Sequence, residues 1–149
     1  MLQVPRIRQP NNATCFPACV WAVLTYAGNA IEYEEIEAAC ALDPLGAAPE
    51  VALQALADAG WDIEVQQEVS VEVIHAALED ERAPILILPV PGVDTTRFAH
   101  AVVACGLSEG VLTVMDPQMG DYRELPVATL EQMLLASEVS GFLIGRPYA

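Results

Sequence analysis

Cys15 lies in the stretch Gln9-Pro10-Asn11-Asn12-Ala13-Thr14-Cys15-Phe16-Pro17-Ala18-Cys19, where a polar segment gives way to an apolar one and a helix is expected to begin. A thiol attacks an acyl carbon as its thiolate, and a free cysteine, with a pKa of about 8.5, is mostly protonated at neutral pH. Two devices lower that value: the unpaired N–H groups of a helix N-terminus and a neighbouring imidazolium. The chain has two histidines. His75 falls inside the acidic helical stretch Val71 to Glu81 and reads as a solvated surface side chain. His100 opens an apolar strand after a loop, a position from which a ring can cross a cleft. His100 is therefore the candidate base.

An imidazole acting as a base needs its second nitrogen held by an acceptor. Ala99 to Gly106 and Val111 to Met115 read as strands joined by a turn at Ser108-Glu109-Gly110. Antiparallel pairing about that turn sets His100 beside Asp116, with Cβ atoms ~5 Å apart if opposite and further if offset. Gln9 completes the set. Its side-chain amide and the Cys15 backbone N–H can donate to a developing oxyanion, and one such donor is typically worth about 100- to 1000-fold in rate. Singly, each residue has an ordinary reading: a buried thiol, a strand-end histidine, an Asp-Pro turn, a loop glutamine. Together, and in this order, they read as a cysteine nucleophile with its base, its orienting carboxylate and an oxyanion donor.

The other cysteines are Cys19, Cys40 and Cys105. Cys40 and Cys105 lie in Ala-rich and Val-rich runs and read as small core hydrophobes. Cys19 is one helical turn beyond Cys15, where a bridge would be strained. No spacing among the cysteines and histidines matches a structural zinc pattern, and no cofactor is implied.

The elements that must position these residues follow from periodicity and punctuation. A first helix is expected from Cys15 to Ala27, with Thr14 as N-cap, Pro17 in the first turn and Gly28 as its stop. Val20, Val23, Leu24 and Ala27 supply its apolar stripe. Further helices are expected over Glu32 to Leu42 and Glu50 to Ala59, with a turn at Gly46 to Pro49 between them. Trp61 to Gln67 alternates as a half-buried strand. Ser70 caps a helix over Val71 to Glu81, and Pro84 to Val90 is apolar on both faces, as a central strand would be. Residues 91–96 read as a surface loop. Beyond the His100 hairpin, Tyr122 to Leu125 reads as a short strand, Val127 to Ala136 as a helix and Gly141 to Ile144 as a last strand. Helices precede most strands without regular alternation, which predicts an α+β fold, and no linker interrupts residues 1–149 as one domain.

With 54% hydrophobic residues the chain has ample material for a core. No apolar run reaches the ~18 residues that span a bilayer, and no secretory signal stands at the N-terminus, so membrane insertion is not expected and the expected compartment is cytoplasmic. The net charge is −15, with no lysine and with 14 of the 21 acidic residues lying between Arg8 and Arg82. Such a surface repels phosphates and anionic lipid, so neither nucleic acid nor membrane is expected as a partner; a basic peptide would be attracted, but the ordinary reading is an acidic solvated surface with no partner meaning.

The ordered set Gln9-x5-Cys15-x2-Ala18-Cys19, Tyr26-Ala27-Gly28, His100-Ala101-Val102-Val103 and Asp116-Pro117-x2-Gly120 resembles the papain-like cysteine peptidases of the bacteriocin-processing, double-glycine (C39-like) type. The stretch Gly46 to Glu50, before a helix ending at Ala59-Gly60, resembles a segment of their stand-alone members. The likeness runs from about Val4 to Gly145. It implies a papain-like fold, with the helix bearing the nucleophile packed against a C-terminal antiparallel sheet. It implies Cys15 as nucleophile, His100 as general base and acid, Asp116 as orienting residue and Gln9 as oxyanion donor. It also implies a peptide substrate, often a leader peptide cut after two small residues. With no transporter segment in the sequence, a transporter or leader-peptide partner would be encoded separately. Thr14 stands where the family usually has an acidic residue, and Phe16, where it has a small one, is expected to crowd the entrance to the nucleophile. The same residues would also serve a deamidase, transamidase or isopeptidase, or an idle peptide-binding module.

Overall fold

A computed structural model describes residues 1–10, 14–40, 49–66, 69–88, 100–136 and 140–145. The expected loop at 91–96 and most of the expected turn at 46–49 lie outside them. In chain order the elements are α1 (Cys15–Tyr26), α2 (Tyr33–Ala39), α3 (Pro49–Asp58), β1 (Asp62–Gln66), α4 (Val71–Glu79), β2 (Ile85–Leu88), β3 (His100–Ser108), β4 (Val111–Asp116), β5 (Asp121–Pro126), α5 (Val127–Ala136) and β6 (Ser140–Gly145). All the strands join one antiparallel sheet in the order β1-β6-β2-β3-β4-β5. The apolar run Ile85-Leu86-Ile87-Leu88 is central, as its two-sided hydrophobicity requires.

Alternation along the strands divides the core in two. Ile85, Ala101, Val103, Cys105 and Met115 pack with Cys19, Val20, Val23 and Leu24 of α1 and Ile36 of α2. Leu86, Leu88, Val102, Ala104, Leu112 and Val114 pack with Ile74 of α4 and Leu130 of α5. The sheet is thus covered on both faces. α1 itself is buried nearly all round, from Phe16 to Leu24, rather than along the single stripe expected, because it lies between the sheet and α2. Phe16 points into this core and is 5% exposed, so the expectation that it crowds the nucleophile is overturned. One helical step of about 100° past Cys15 turns it inward.

Capping shows where side-chain chemistry sets an element and where it does not. Ser70 accepts a hydrogen bond from the Val73 N–H at 3.1 Å and starts α4 as expected. Thr14 occupies the N-cap position of α1 but its hydroxyl makes no capping bond. Its carbonyl accepts the Ala18 N–H at 3.2 Å, so the first helical turn closes through the backbone.

The β3–β4 hairpin carries the feature on which the site depends. Glu109 (φ 53°) and Gly110 (φ 76°) form a tight turn with both residues in the left-handed region, the geometry that matches strand twist. From that turn the pairs are Ser108 with Val111, Leu107 with Leu112 and Gly106 with Thr113. Continued unbroken, this register would bring Asp116 opposite Val103, and alternation would place it on the other face from His100. Cys105 is instead left out as a bulge, and beyond it Ala104 pairs with Val114 and Val103 with Met115. That one-residue shift brings Asp116 level with Val102, two residues from His100 and on its side of the sheet. The two are therefore diagonal neighbours, not opposite ones. The carbonyl of the bulged Cys105 is taken by the Leu2 N–H at 2.8 Å.

Ser70→Ala is expected to lower the unfolding free energy by about 1 kcal/mol, the usual value of a lost N-cap, with the native fold kept. Urea denaturation followed by circular dichroism measures this.

Candidate active site

The four candidates sit at one end of the sheet, where the start of α1 meets the start of β3. Cys15, the first residue of α1, is partly exposed, and its thiol is hydrogen-bonded to the His100 ring. His100 Nε2 lies 2.7 Å from Asp116 Oδ1, the ring N–H donating to the carboxylate. With Nε2 committed to Asp116, the other ring nitrogen is the one left for the thiol. The structure thus brings Cys15, His100 and Asp116 together.

Asp116 is 1% exposed and every described contact of its carboxylate is a donor. Oδ1 also accepts the Gln118 N–H at 3.0 Å, closing an Asx turn, and Oδ2 lies 3.5 Å from Arg123 Nε. The Asp116 carbonyl accepts the N–H groups of Met119 (3.1 Å) and Gly120 (2.9 Å). Gly120 adopts φ 67°, and a Cβ there would meet Arg8 Cβ at 2.9 Å, so both its conformation and its space demand glycine.

Gln9 is placed by a different route. Residues 2–9 run over the sheet, held by the Leu2 bond to Cys105, by the Tyr122 hydroxyl donating to the Val4 carbonyl, and by Arg6 against Asp121 at 3.2 Å. The Gln9 N–H then donates to the Pro117 carbonyl at 2.8 Å, immediately after Asp116 in the chain. Gln9 is thereby docked beside the Asp116 turn.

Burial opposes ionisation of Cys15. The hydrogen bond and charge of His100, with the backbone N–H groups of Ala101 and Phe16, outweigh it and hold the thiol below its ordinary value. Burial likewise works against a charged His100, but hydrogen bonds to Asp116 and Cys15 push it up to about 9. Asp116 is lowered despite burial, chiefly by His100, then by the Gln118 N–H and Arg123. All three directions favour a thiolate–imidazolium pair backed by a carboxylate. Burial drives the remaining thiols the other way: Cys19 well up, Cys40 to about 12 and Cys105 to about 11. Cys15 is the one cysteine of the four whose proton affinity its surroundings lower. His75 is a surface residue whose Nε2 lies 3.3 Å from Glu79 Oε1, one turn along α4, as expected of it.

Two contributors escaped the sequence: the Ala101 backbone N–H and Arg123. Arg123 pairs with Val114 across β4–β5, two residues from Asp116, so a register read through the Asp116–Gly120 turn would have found it. Among the described residues no three His, Cys, Asp or Glu side chains gather into a metal site. A cavity of about 310 Å³ opens between α4 and the sheet, lined by Glu64, Ile74, Arg82 and Leu86 among others, and includes none of the four candidates. No described helix is long and apolar enough to cross a membrane.

No protein-family model and no curated protein matches the sequence. Solved structures do match the fold. A double-glycine-motif protease from an AMS/PCAT transporter, solved with its leader peptide, superposes with a TM-score of 0.71 at 17% identity, over 99% of this chain and 94% of that one. The peptidase domain of Streptococcus ComA, a bi-functional ABC transporter of a quorum-sensing pathway, gives 0.72 at 15% identity, over 97% and 100%. A C39-like peptidase from Bacillus anthracis gives 0.73 at 15% identity, over 99% and 98%. The fold is the papain-like α+β fold of C39 peptidase domains, and the resemblance read from the sequence holds at that level.

Two outcomes test this geometry. Gly120→Ala should cost about 1–3 kcal/mol through its left-handed backbone, read by thermal unfolding, and slow Cys15 alkylation by loosening the Asp116 turn. His100 is raised from 6.5 to about 9 on folding, so its contribution to stability is complete below the lower value and is lost as pH climbs through the higher. Asp116 is lowered, so its share is lost as pH falls through its folded value. The stability advantage of wild type over His100→Gln in urea titrations should therefore be greatest at about pH 6, fall as pH rises from 6.5, and be gone above about pH 9.

Proposed function

We propose that this protein is a cysteine peptidase that cleaves peptide bonds through an acyl-enzyme on Cys15. The observation that carries this reading is the Cys15 thiol, at the start of a helix, bonded to a histidine whose other nitrogen is held 2.7 Å from a buried carboxylate. The shared fold with C39 peptidase domains supports it.

In this mechanism the Cys15 thiolate adds to the scissile carbonyl carbon. The oxyanion is met by the Cys15 N–H and the Gln9 side-chain amide, docked by the Gln9–Pro117 bond. Collapse breaks the C–N bond, and imidazolium His100 gives its proton to the departing amine. Neutral His100 then takes a proton from water, whose oxygen attacks the thioester and releases the acid and the thiolate. Asp116 holds the ring in one orientation and stabilises its charged form throughout. The substrate is an extended peptide with small side chains at the cut, a leader peptide being the natural class. Phe16, buried in the core, leaves room for it. A leader-bearing peptide or a transporter would be the partner.

Incubation with a peptide library, read by mass spectrometry, should yield two fragments per substrate. Cys15→Ala and His100→Ala should abolish cleavage. Asp116→Asn should lower it by up to about 10⁴-fold and Gln9→Ala by about 100- to 1000-fold. A gain of about one mass unit without a cut would instead identify a deamidase, the mass change of replacing an amide by an acid. Alkylation of Cys15 no faster than a free thiol near neutral pH would sink the enzyme reading.

A further inference from the structure

Asp116 has a second cationic neighbour besides His100. On β3, His100 approaches Oδ1 diagonally from one side; on β5, Arg123 approaches Oδ2 diagonally from the other, with Nε at 3.5 Å. The remaining charged and titratable groups around the carboxylate are accounted for. From α1, Cys15 reaches it through the His100 ring, and the buried Cys19 thiol is pushed well up in part by the carboxylate's charge. Asp121 is its cross-strand partner on β5 and is engaged by Arg6 at 3.2 Å and by the Tyr122 N–H at 2.8 Å. Arg123 is thus the described cation placed to compete with His100 for the same buried charge.

We propose that Arg123 is a positioning residue acting through Asp116: it holds the carboxylate's second oxygen and limits how much of its charge His100 receives. The proposal rests on the peptidase reading and adds a requirement of it. A general acid must surrender its proton to the leaving amine, and catalysis is best when its proton affinity lies near the working pH. A lone buried carboxylate at 2.7 Å would hold the imidazolium too strongly. A guanidinium on the far oxygen neutralises part of that charge, keeps the carboxylate ionised, and moderates the basicity it confers. Arg123 is 42% exposed, so its effect is screened and modest.

The test is a proton NMR titration of the two histidine rings in wild type, Arg123→Gln and Arg123→Lys, with Cys15 alkylation measured in parallel. Loss of the cation should raise the His100 midpoint by roughly half a unit, the size of a partly exposed ion pair. His75, remote on α4, should not move and serves as the internal standard. Arg123→Lys should return the His100 midpoint close to wild type. A His100 midpoint that stays put or falls in Arg123→Gln overturns the proposal, a fall being what a merely structural prop would give when the Asp116–His100 contact loosens. Wild-type His100 titrating at its ordinary value, with Cys15 no more reactive than a free thiol, would instead overturn the site reading itself.

Discussion

In an antiparallel sheet, residues that are to meet must share a face, and faces alternate with every step. His100 and Asp116 lie on adjacent strands joined by a two-residue turn, and the register leaving that turn puts them on opposite faces. The bulge at Cys105 changes the parity once, between the turn and the site. Every other property of the site descends from that shift: the 2.7 Å contact, the raised imidazole, the lowered thiol. A bulge leaves a residue outside the ladder, and here its carbonyl is satisfied by the Leu2 N–H, the first anchor of the segment that docks Gln9. The irregularity that aligns His100 with Asp116 thus also anchors the segment that carries Gln9.

The electrostatics follow a consistent rule. Burial alone would leave each of Cys15, His100 and Asp116 uncharged, and for each the desolvation penalty is the largest single influence. The charged forms prevail because each group's charge is the others' solvation, reinforced by backbone donors at Ala101, Phe16 and Gln118. Cys19, one turn further along α1, has the burial without the partners and remains a thiol. Of the groups that lower the Cys15 thiol, the His100 ring weighs most and the Phe16 N–H at the helix start least.

Much of this was legible in the sequence because it is written in local signals. Apolar periodicity, Gly28, Gly60 and the Ser70 cap marked the elements, and every helix and strand was anticipated to within a few residues. The order of Cys15, His100 and Asp116 along the chain pointed to the constellation. What could not be read were matters of register and rotation. The bulge has no residue signature, since Cys105 is an unremarkable core hydrophobe, so the diagonal offset of His100 and Asp116 was invisible. The fate of Phe16 depended on which way α1 is rolled, and a helix buried on every side carries no stripe to reveal it. Thr14 has the composition of a cap, but its backbone dihedrals (φ −114°, ψ 20°) depart from the extended cap geometry seen at Ser70. Arg123 required two successive registers, each resting on the one before.

The separation of the site's parts along the chain has a temporal meaning. Cys15 and its helix emerge early in synthesis, while His100, Asp116 and the Ala101 N–H arrive some eighty to a hundred residues later. Until the β3–β4 hairpin docks against α1, the His100 ring and the Ala101 N–H are missing, and of the groups that lower the thiol only the Phe16 N–H is in place. In the proposed peptidase the nucleophile therefore meets its base only with the long-range contact that completes the fold.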